Sequence, residues 1–496
     1  MPSSAPPQPV RLSKSRIQSG RQCPKRLWLE LHQREAIQWG GAAQFRMDEG
    51  TRFGELARAL LGGGILIEAD HRHPKQALAD TERELARPLD EAPMLFEAAF
   101  EHENVMVRVD GFRRRQDGDT LIEVKSSTKV KDEYLWDCAI QTWVARGAGR
   151  NVNRIMLAHV NNQFVYEREG DYEGLLVEAD ITSDVEALLP LIPDVVASMK
   201  IVVAGAKPEI ATGPHCSTPY GCPCFAYCRS EEPPGPEYPI SILPRIGRLL
   251  GDLEQAGCRD LRDVPPNLLR HKIHRRIADA TKSNRAFVSP ELEGLLRHIP
   301  YPRYYVDFET ISYVVPRWRG TSPFQAIPFQ FSCHKESASG ELEHTAFLDV
   351  TGQSPLRPFV EALLDSIGPD GPLLVWNATF EATRLKELAE LFPEFSDRLL
   401  LLSHRMVDLY RIYTQHYYHP AQCGSWSIKA VLPTIAPELS YKNLDIGDGQ
   451  AAQEGYLRAV AAMTTAGEKE ELKAQLLNYC ELDTLAMVRL ANWRPT

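Results

Sequence analysis

The sequence predicts an α/β protein made of more than one domain. Three observations carry that expectation. The chain has 496 residues, more than one hydrophobic core usually supports. A β-rich block runs from about residue 92 to about 168. From Tyr301 to Pro495, strand-like and helix-like segments alternate.

Taken in order, residues 1–10 are rich in Pro and Ser and read as disordered. From Lys14 to Leu61 the pattern is helical, because RLWLELHQ and FGELARALL place apolar residues three and four apart. The β-rich block follows. EEPPGPEYP at 231–239 has the composition of a linker. Residues 240–298 read as short helices with a turn at Ala256–Gly257. The expected domains are therefore 11–230, a linker and small helical region at 231–298, and 299–496. No internal repeat is visible.

Hydrophobic residues make up 43% and charged residues 25%, as in ordinary soluble proteins. No uninterrupted apolar run reaches the roughly 18 residues that cross a bilayer. MPSSAPPQPV lacks the apolar core of a signal peptide, so the expectation is a cytoplasmic protein without a membrane partner. The net charge of −10 does not exclude a nucleic-acid partner, since phosphate contact needs only a local basic patch. Three clusters are candidates: Lys14, Arg16, Arg21, Lys25 and Arg26; Arg113 to Arg115; and Arg270, Lys272, Arg275 and Arg276.

The first candidate site lies in the β-rich block. NVMVRVDGFRRR reads as one strand, Asp117-Gly118 as a hairpin turn and TLIEVKSS as the returning strand. Glu123 and Lys125, two apart, share a face, and Asp110 reaches them across the hairpin. Two carboxylates suit Mg²⁺ or Mn²⁺, which activates water and offsets charge on a phosphate ester. The lysine orients that water or stabilises developing negative charge. DEYLWDCAIQTWVA reads as a helix that brings Gln141 back to the site.

The second constellation is sulfur. Four of ten cysteines, Cys216, Cys222, Cys224 and Cys228, fall within thirteen residues in the segment HCSTPYGCPCFAYC. Cys23 lies far upstream in SGRQCPKRLWL. Thiolates suit zinc or an iron–sulfur cluster, and the tight C-x2-C pairs usual for zinc are missing.

The third constellation is acidic. RYYVDFET is a strand ending in Asp307 and Glu309, which face one side. LLVWNATFEATRLKELAELF runs from strand into helix, with Glu381 at the helix start. LLNYCELDTLAMVRL is a helix that puts Tyr479 and Asp483 on one face. Four carboxylates and a tyrosine can hold two divalent ions about 4 Å apart, the arrangement that clamps both oxygens of a phosphodiester displacement. Asp408, in MVDLY, reads as a helix cap.

Asp110, Glu123, Lys125 and Gln141 resemble the RecB-like branch of the PD-(D/E)xK nucleases, in particular members with an iron–sulfur cluster. That resemblance implies a restriction-endonuclease-like fold and a [4Fe–4S] cluster held by Cys23, Cys216, Cys222 and Cys228, with Cys224 spare and Zn²⁺ the alternative. Ala145 stands where that family usually has Tyr. Asp307-Phe308-Glu309-Thr310, Glu381, and Tyr479 with Asp483 resemble the DEDD exonucleases of the RNase H-like superfamily, in their tyrosine subtype. Glu381 replaces the usual Asp and is one methylene longer. Together the stretches resemble a bacterial fusion family of these two nucleases. The resemblance implies a metal-dependent nuclease, with a 3'-5' exonuclease in the C-terminal domain, acting on single-stranded DNA or RNA; DNA repair, defence against phage and RNA turnover are all roles compatible with such an enzyme.

Overall fold

The computed structural model describes residues 11–39 and 41–494, so the expectation of disorder at residues 1–10 lies outside the described residues. The protein is mixed α/β and divides into two compact units. The first contains residues 1–233 and 313–325; the second contains 234–312 and 326–496.

In the first unit, helices Lys14–Gln22, Pro24–His32 and Gly41–Leu60 occupy the stretch read as helical. The unit's sheet contains β1 (Leu12–Ser13), β2 (Ile65–Leu66), β3 (Met94–His102), β4 (Val105–Arg113), β5 (Asp119–Lys125), β6 (Val152–Val160) and β7 (Leu176–Asp180). The path runs β2-β3-β4-β5-β6-β7, with β1 pairing parallel to β4. β3, β4 and β5 form an antiparallel meander, and the connection at 114–118 passes through Gly118 at φ +127°. β5 and β6 are parallel, which requires a crossover, and the helix Asp132–Gly147 supplies it. Leu121, Ile140, Val144, Ile155 and Leu157 are buried in the core between this helix and the sheet.

Consecutive helical turns over Thr182–Ala204 are long and apolar enough to cross a membrane by length and composition. Asp184, Glu186, Asp194 and Lys200 interrupt the stretch, so it contains no uninterrupted apolar run of that length. Val185, Ile192, Val196, Met199 and Val203 pack this segment into the core.

Besides the short strand β8 (Phe287–Val288), the second unit contains β9 (Arg303–Ile311), β10 (Ile327–Glu336), β11 (Leu342–Leu348), β12 (Leu373–Val375) and β13 (Met406–Asp408). Its sheet order is β11-β10-β9-β12-β13. The first three strands form an antiparallel meander, and β12 and β13 add in parallel beyond β9. β9 therefore has a neighbour on each side, and its Tyr304, Tyr305, Val306 and Phe308 are buried, as a continuous apolar strand should be. The helices Ala378–Leu391, Gly449–Val460 and Ala466–Ala491 complete the site-bearing part. Of residues 231–298, read from sequence as a linker and small helical region, 234–298 belong to this unit. Phe287–Val288 pairs with Tyr417–Tyr418 in a two-stranded sheet, and Arg276 donates to the Thr414 carbonyl.

Candidate functional sites

The second unit gathers acids from three elements. Asp307 and Glu309 stand on β9, the central strand of its sheet. Asp483 faces them from the long helix Ala466–Ala491. One ligand oxygen from each of these three lies within 4.8 Å of the other two. Glu381 arrives in the first turn of its helix because Asn377 turns the chain out of β12 at φ +82°, a left-handed conformation that Asn tolerates better than most residues. It acts electrostatically on Asp307 but lies outside the close group of three. Its Oε2 is buried and has no hydrogen-bond partner among the described residues.

Burial, reinforced by the neighbouring acids, raises Asp307 well above the usual carboxylate range. Burial and Asp483 push Glu309 up to about 8; burial and Asp408 push Glu381 up to about 8. Burial pushes Asp483 up to about 6, with Tyr441 and Lys429 acting in the opposite direction. Like charges held out of water favour protonation, and a divalent cation removes that cost. An all-oxygen donor set with an orphaned buried oxygen beside it fits Mg²⁺ or Mn²⁺.

Two further residues complete the pocket. Tyr441 donates to Asp483 Oδ1 at 2.6 Å. Lys429 Nζ donates to the Tyr479 hydroxyl at 2.9 Å and to the Gly447 carbonyl at 2.7 Å, fixing the tyrosine expected to position water. Asp408 accepts from Arg411 N at 3.1 Å and caps the helix Leu409–His416, as read from sequence.

In the first unit, Glu123, Lys125 and Gln141 meet as expected, and Asp110 joins them. Lys125 Nζ lies 2.5 Å from Glu123 Oε1, and Gln141 Nε2 donates to Glu123 Oε2 at 2.7 Å. Asp110 Oδ2 accepts from Val124 N at 2.7 Å. Two further residues belong here. Lys14 Nζ is 2.9 Å from Glu123 Oε1, and Asp137 Oδ2 is 2.6 Å from Lys125 Nζ. Asp137 had a signal in the sequence, since it stands four residues before Gln141 on one helix face. Burial and then Glu123 push Asp110 up to about 7. Burial raises Glu123, but Lys125 and Lys14 more than offset this and hold it well below its ordinary value. Both Glu123 oxygens are thus engaged, so Asp110 and Glu123 can hold a cation only if a lysine contact yields. A cavity of about 360 Å³ beside these groups is lined by Lys14, Gln18, Arg26, Lys125, Asp137 and Tyr220 among others.

Several basic candidates are used internally. Arg21 stacks over Trp136 at 3.7 Å, Lys25 pairs with Glu231 and Arg26 with Glu30. Arg113 pairs with Glu178, and Arg114 donates to the carbonyls of Ala92 and Arg87.

The N-terminal helices and the 215–231 segment come together in the first unit. Gln22 Nε2 donates to the carbonyls of His215 at 2.9 Å and Tyr220 at 2.7 Å. Cys224 and Cys228 are buried with Leu29 and Ala36. Cys23 and Cys228 each sense Cys222 and Cys216 electrostatically, so the four expected ligands share one neighbourhood. Among the described residues, no three of them bring sulfurs within 4.8 Å of one another. Cys224, expected as the spare, is fully buried and shares a hydrogen bond with Cys222.

Comparison with known proteins adds the following. A family described as a domain of unknown function (DUF2779) matches residues 304–427, which include Asp307, Glu309 and Glu381. The protein is 26% identical over 228 residues to "Uncharacterized protein UU173" of Ureaplasma parvum, covering 42% of this chain and 33% of that protein. It is 25% identical over 235 residues to "Uncharacterized protein MG366" of Mycoplasma genitalium, covering 43% and 35%. The match thus spans about a third of the length of these relatives. A solved structure titled "Crystal structure of SSO0001" aligns at 12% identity over 42% of this chain and 82% of that one, with a TM-score of 0.22.

Proposed function

We propose that the protein is a metal-dependent nuclease whose cutting centre is the Asp307, Glu309, Glu381 and Asp483 pocket. The observation that carries this reading is the convergence of half-buried Asp307 with buried Glu309 and Asp483 within 4.8 Å, together with a buried Glu381 oxygen that lacks a hydrogen-bond partner. The second unit is read as an RNase H-like domain. Its sheet order, third-second-first-fourth-fifth in chain order with the last two strands parallel, supports this. The first unit is read as a PD-(D/E)xK domain, supported by the Asp110, Glu123, Lys125 and Gln141 contacts on one meander and crossover helix. The substrate is a DNA or RNA strand, cut from its 3' end by the second unit. Cys23, Cys216, Cys222 and Cys228 would hold a [4Fe–4S] cluster.

Asp307, Glu309, Glu381 and Asp483 would hold Mg²⁺ or Mn²⁺, and the chemistry such ions supply is activation of water and neutralisation of the phosphate. The remaining work falls to the chain. Tyr441 fixes the Asp483 carboxylate through its hydroxyl. Lys429 donates to the Tyr479 hydroxyl and so fixes its orientation beside Asp483.

A second reading has one observation in its favour. Both oxygens of Glu123 are occupied by Lys14, Lys125 and Gln141. In that reading the first unit grips nucleic acid and only the second unit cuts. End-labelled single-stranded DNA and RNA with Mn²⁺ separate the readings. Asp307→Ala is expected to lower exonuclease activity by at least about a hundredfold, since loss even of a group that merely supports a metal ligand costs 10–100-fold. If Asp110→Ala leaves all cutting intact but weakens strand binding, the gripping reading stands. Full activity in Asp307→Ala would remove the assignment of the cutting centre.

A further inference from the structure

A second group of metal-ligating side chains lies on the same sheet, outside the carboxylate pocket. His334 on β10 and His344 on β11 are partners in register across the hairpin, and their rings stack with centroids 4.5 Å apart. Glu481 reaches them from the helix Ala466–Ala491, with Oε1 3.7 Å from His344 Nδ1. One ligand atom from each of the three lies within 4.8 Å of the other two.

The hydrogen bonds behind this group decide which ring nitrogens carry protons. The Thr484 hydroxyl donates to the Glu481 carbonyl at 3.0 Å, and a carbonyl can only accept. With its proton committed, Thr484 Oγ1 accepts from Ser332 Oγ at 2.7 Å and from His334 Nδ1 at 2.8 Å. Ser332 has then committed its proton as well, so it accepts from His344 Nε2 at 2.9 Å. His334 is therefore protonated on Nδ1 and His344 on Nε2. His334 Nε2 and His344 Nδ1 are left as bare lone pairs, the latter 3.7 Å from the Glu481 carboxylate. Burial and then the neighbouring His344 push His334 down to about 4, which keeps its ring neutral near pH 7.

We infer that His334, His344 and Glu481 form a binding site for a first-row transition-metal dication of the zinc type, distinct from the carboxylate centre. Two imidazoles and one carboxylate, with a fourth position open to water, form a donor set that binds Zn²⁺, whereas Mg²⁺ prefers oxygen alone. The Ser332 and Thr484 hydroxyls supply the supporting hydrogen bonds that orient metal-bound histidines. His334 and Thr484 are buried, while the side chains of His344 and Glu481 keep 28% and 44% of their exposure, so the ion has a path in. The bound ion would tie the β10–β11 hairpin to the helix that also carries Tyr479 and Asp483.

The test uses the full-length chain, stripped of metal and returned to excess Mg²⁺ so that the carboxylate centre is filled. Zn²⁺ is titrated by calorimetry and Co²⁺ by visible absorption, in wild type, His344→Ala, Glu481→Gln, Asp307→Ala and Cys228→Ser. The expected result is one equivalent bound in wild type, Asp307→Ala and Cys228→Ser whose affinity falls at least about tenfold in His344→Ala and in Glu481→Gln. His344 is exposed, so its variant is expected to fold, and circular dichroism checks this. The inference is overturned if His344→Ala binds Zn²⁺ with wild-type stoichiometry and affinity, or if all Zn²⁺ binding disappears in Cys228→Ser or Asp307→Ala.

Discussion

Burial acts on Asp307, Glu309, Glu381 and Asp483 before any neighbour does, and in each case it raises the carboxyl. A carboxyl whose folded value lies above its unfolded value stabilises the fold while protonated, and loses that contribution as pH rises through the folded value. For Glu309 and Glu381 the window runs from the usual carboxylate range near 4 up to about 8. Metal-stripped protein is therefore expected to unfold at lower urea concentration at about pH 9 than at about pH 5, through the linkage of proton binding to stability. Excess Mg²⁺ should abolish the difference, and Glu309→Gln should shrink it without metal. A denaturation series across pH, with and without Mg²⁺, measures both. The four acids were legible in the sequence because a strand with period two and a helix with period near four fix which side chains share a face. Tyr441 was not, because it reaches Asp483 from a single turn at Tyr441–Asn443 that follows no periodicity. Lys14 was read only as one of a basic cluster; its pairing with Glu123, 109 residues away, has no local signal.

At the scale of elements, the long strands and helices followed from alternation and turn chemistry. The hairpin through Gly118, the crossover helix Asp132–Gly147 and the strand at Asp307 all lie where the pattern puts them. Two-residue strands were invisible for the converse reason. β1, β2 and the Phe287–Val288 pairing with Tyr417–Tyr418 are too short to show a period. Such pairings are what draw residues 234–298 into the second unit. One junction is unusually intolerant. Gly371, at φ +88°, precedes β12, and a Cβ there would lie 2.0 Å from the Pro302 carbonyl oxygen at the start of β9. Gly371→Ala is expected to destabilise the second unit by roughly 1–3 kcal/mol or more, combining an unfavourable backbone conformation with a backbone clash. A lowered urea midpoint for that variant is the readout, and an unchanged midpoint would mean that β9 and β12 separate easily.

For the whole molecule, the sulfur group is the feature whose occupant matters most. Cys23 and Cys228 stand about 200 residues apart in sequence and share one neighbourhood. Protein purified without oxygen is expected to be brown, with absorbance near about 400 nm, if the thiolates hold an iron–sulfur cluster. Cys228→Ser should lose that colour and lower the melting temperature of the first unit, because a clip closing so long a loop removes disorder from the unfolded chain. A colourless wild type whose bound zinc falls by one equivalent in Cys228→Ser would identify the other occupant.

The first unit is also discontinuous in the gene's order of reading. Its buried Glu49 accepts from Val314 N at 3.0 Å and pairs with Arg317 at 3.1 Å, and Tyr166 bonds to Thr321. During synthesis these partners leave the ribosome some 265 residues after Glu49. Until then a carboxylate destined for the interior has neither its amide nor its guanidinium. The N-terminal half must therefore wait, partly assembled, for a segment translated after β9 of the second unit has begun to emerge.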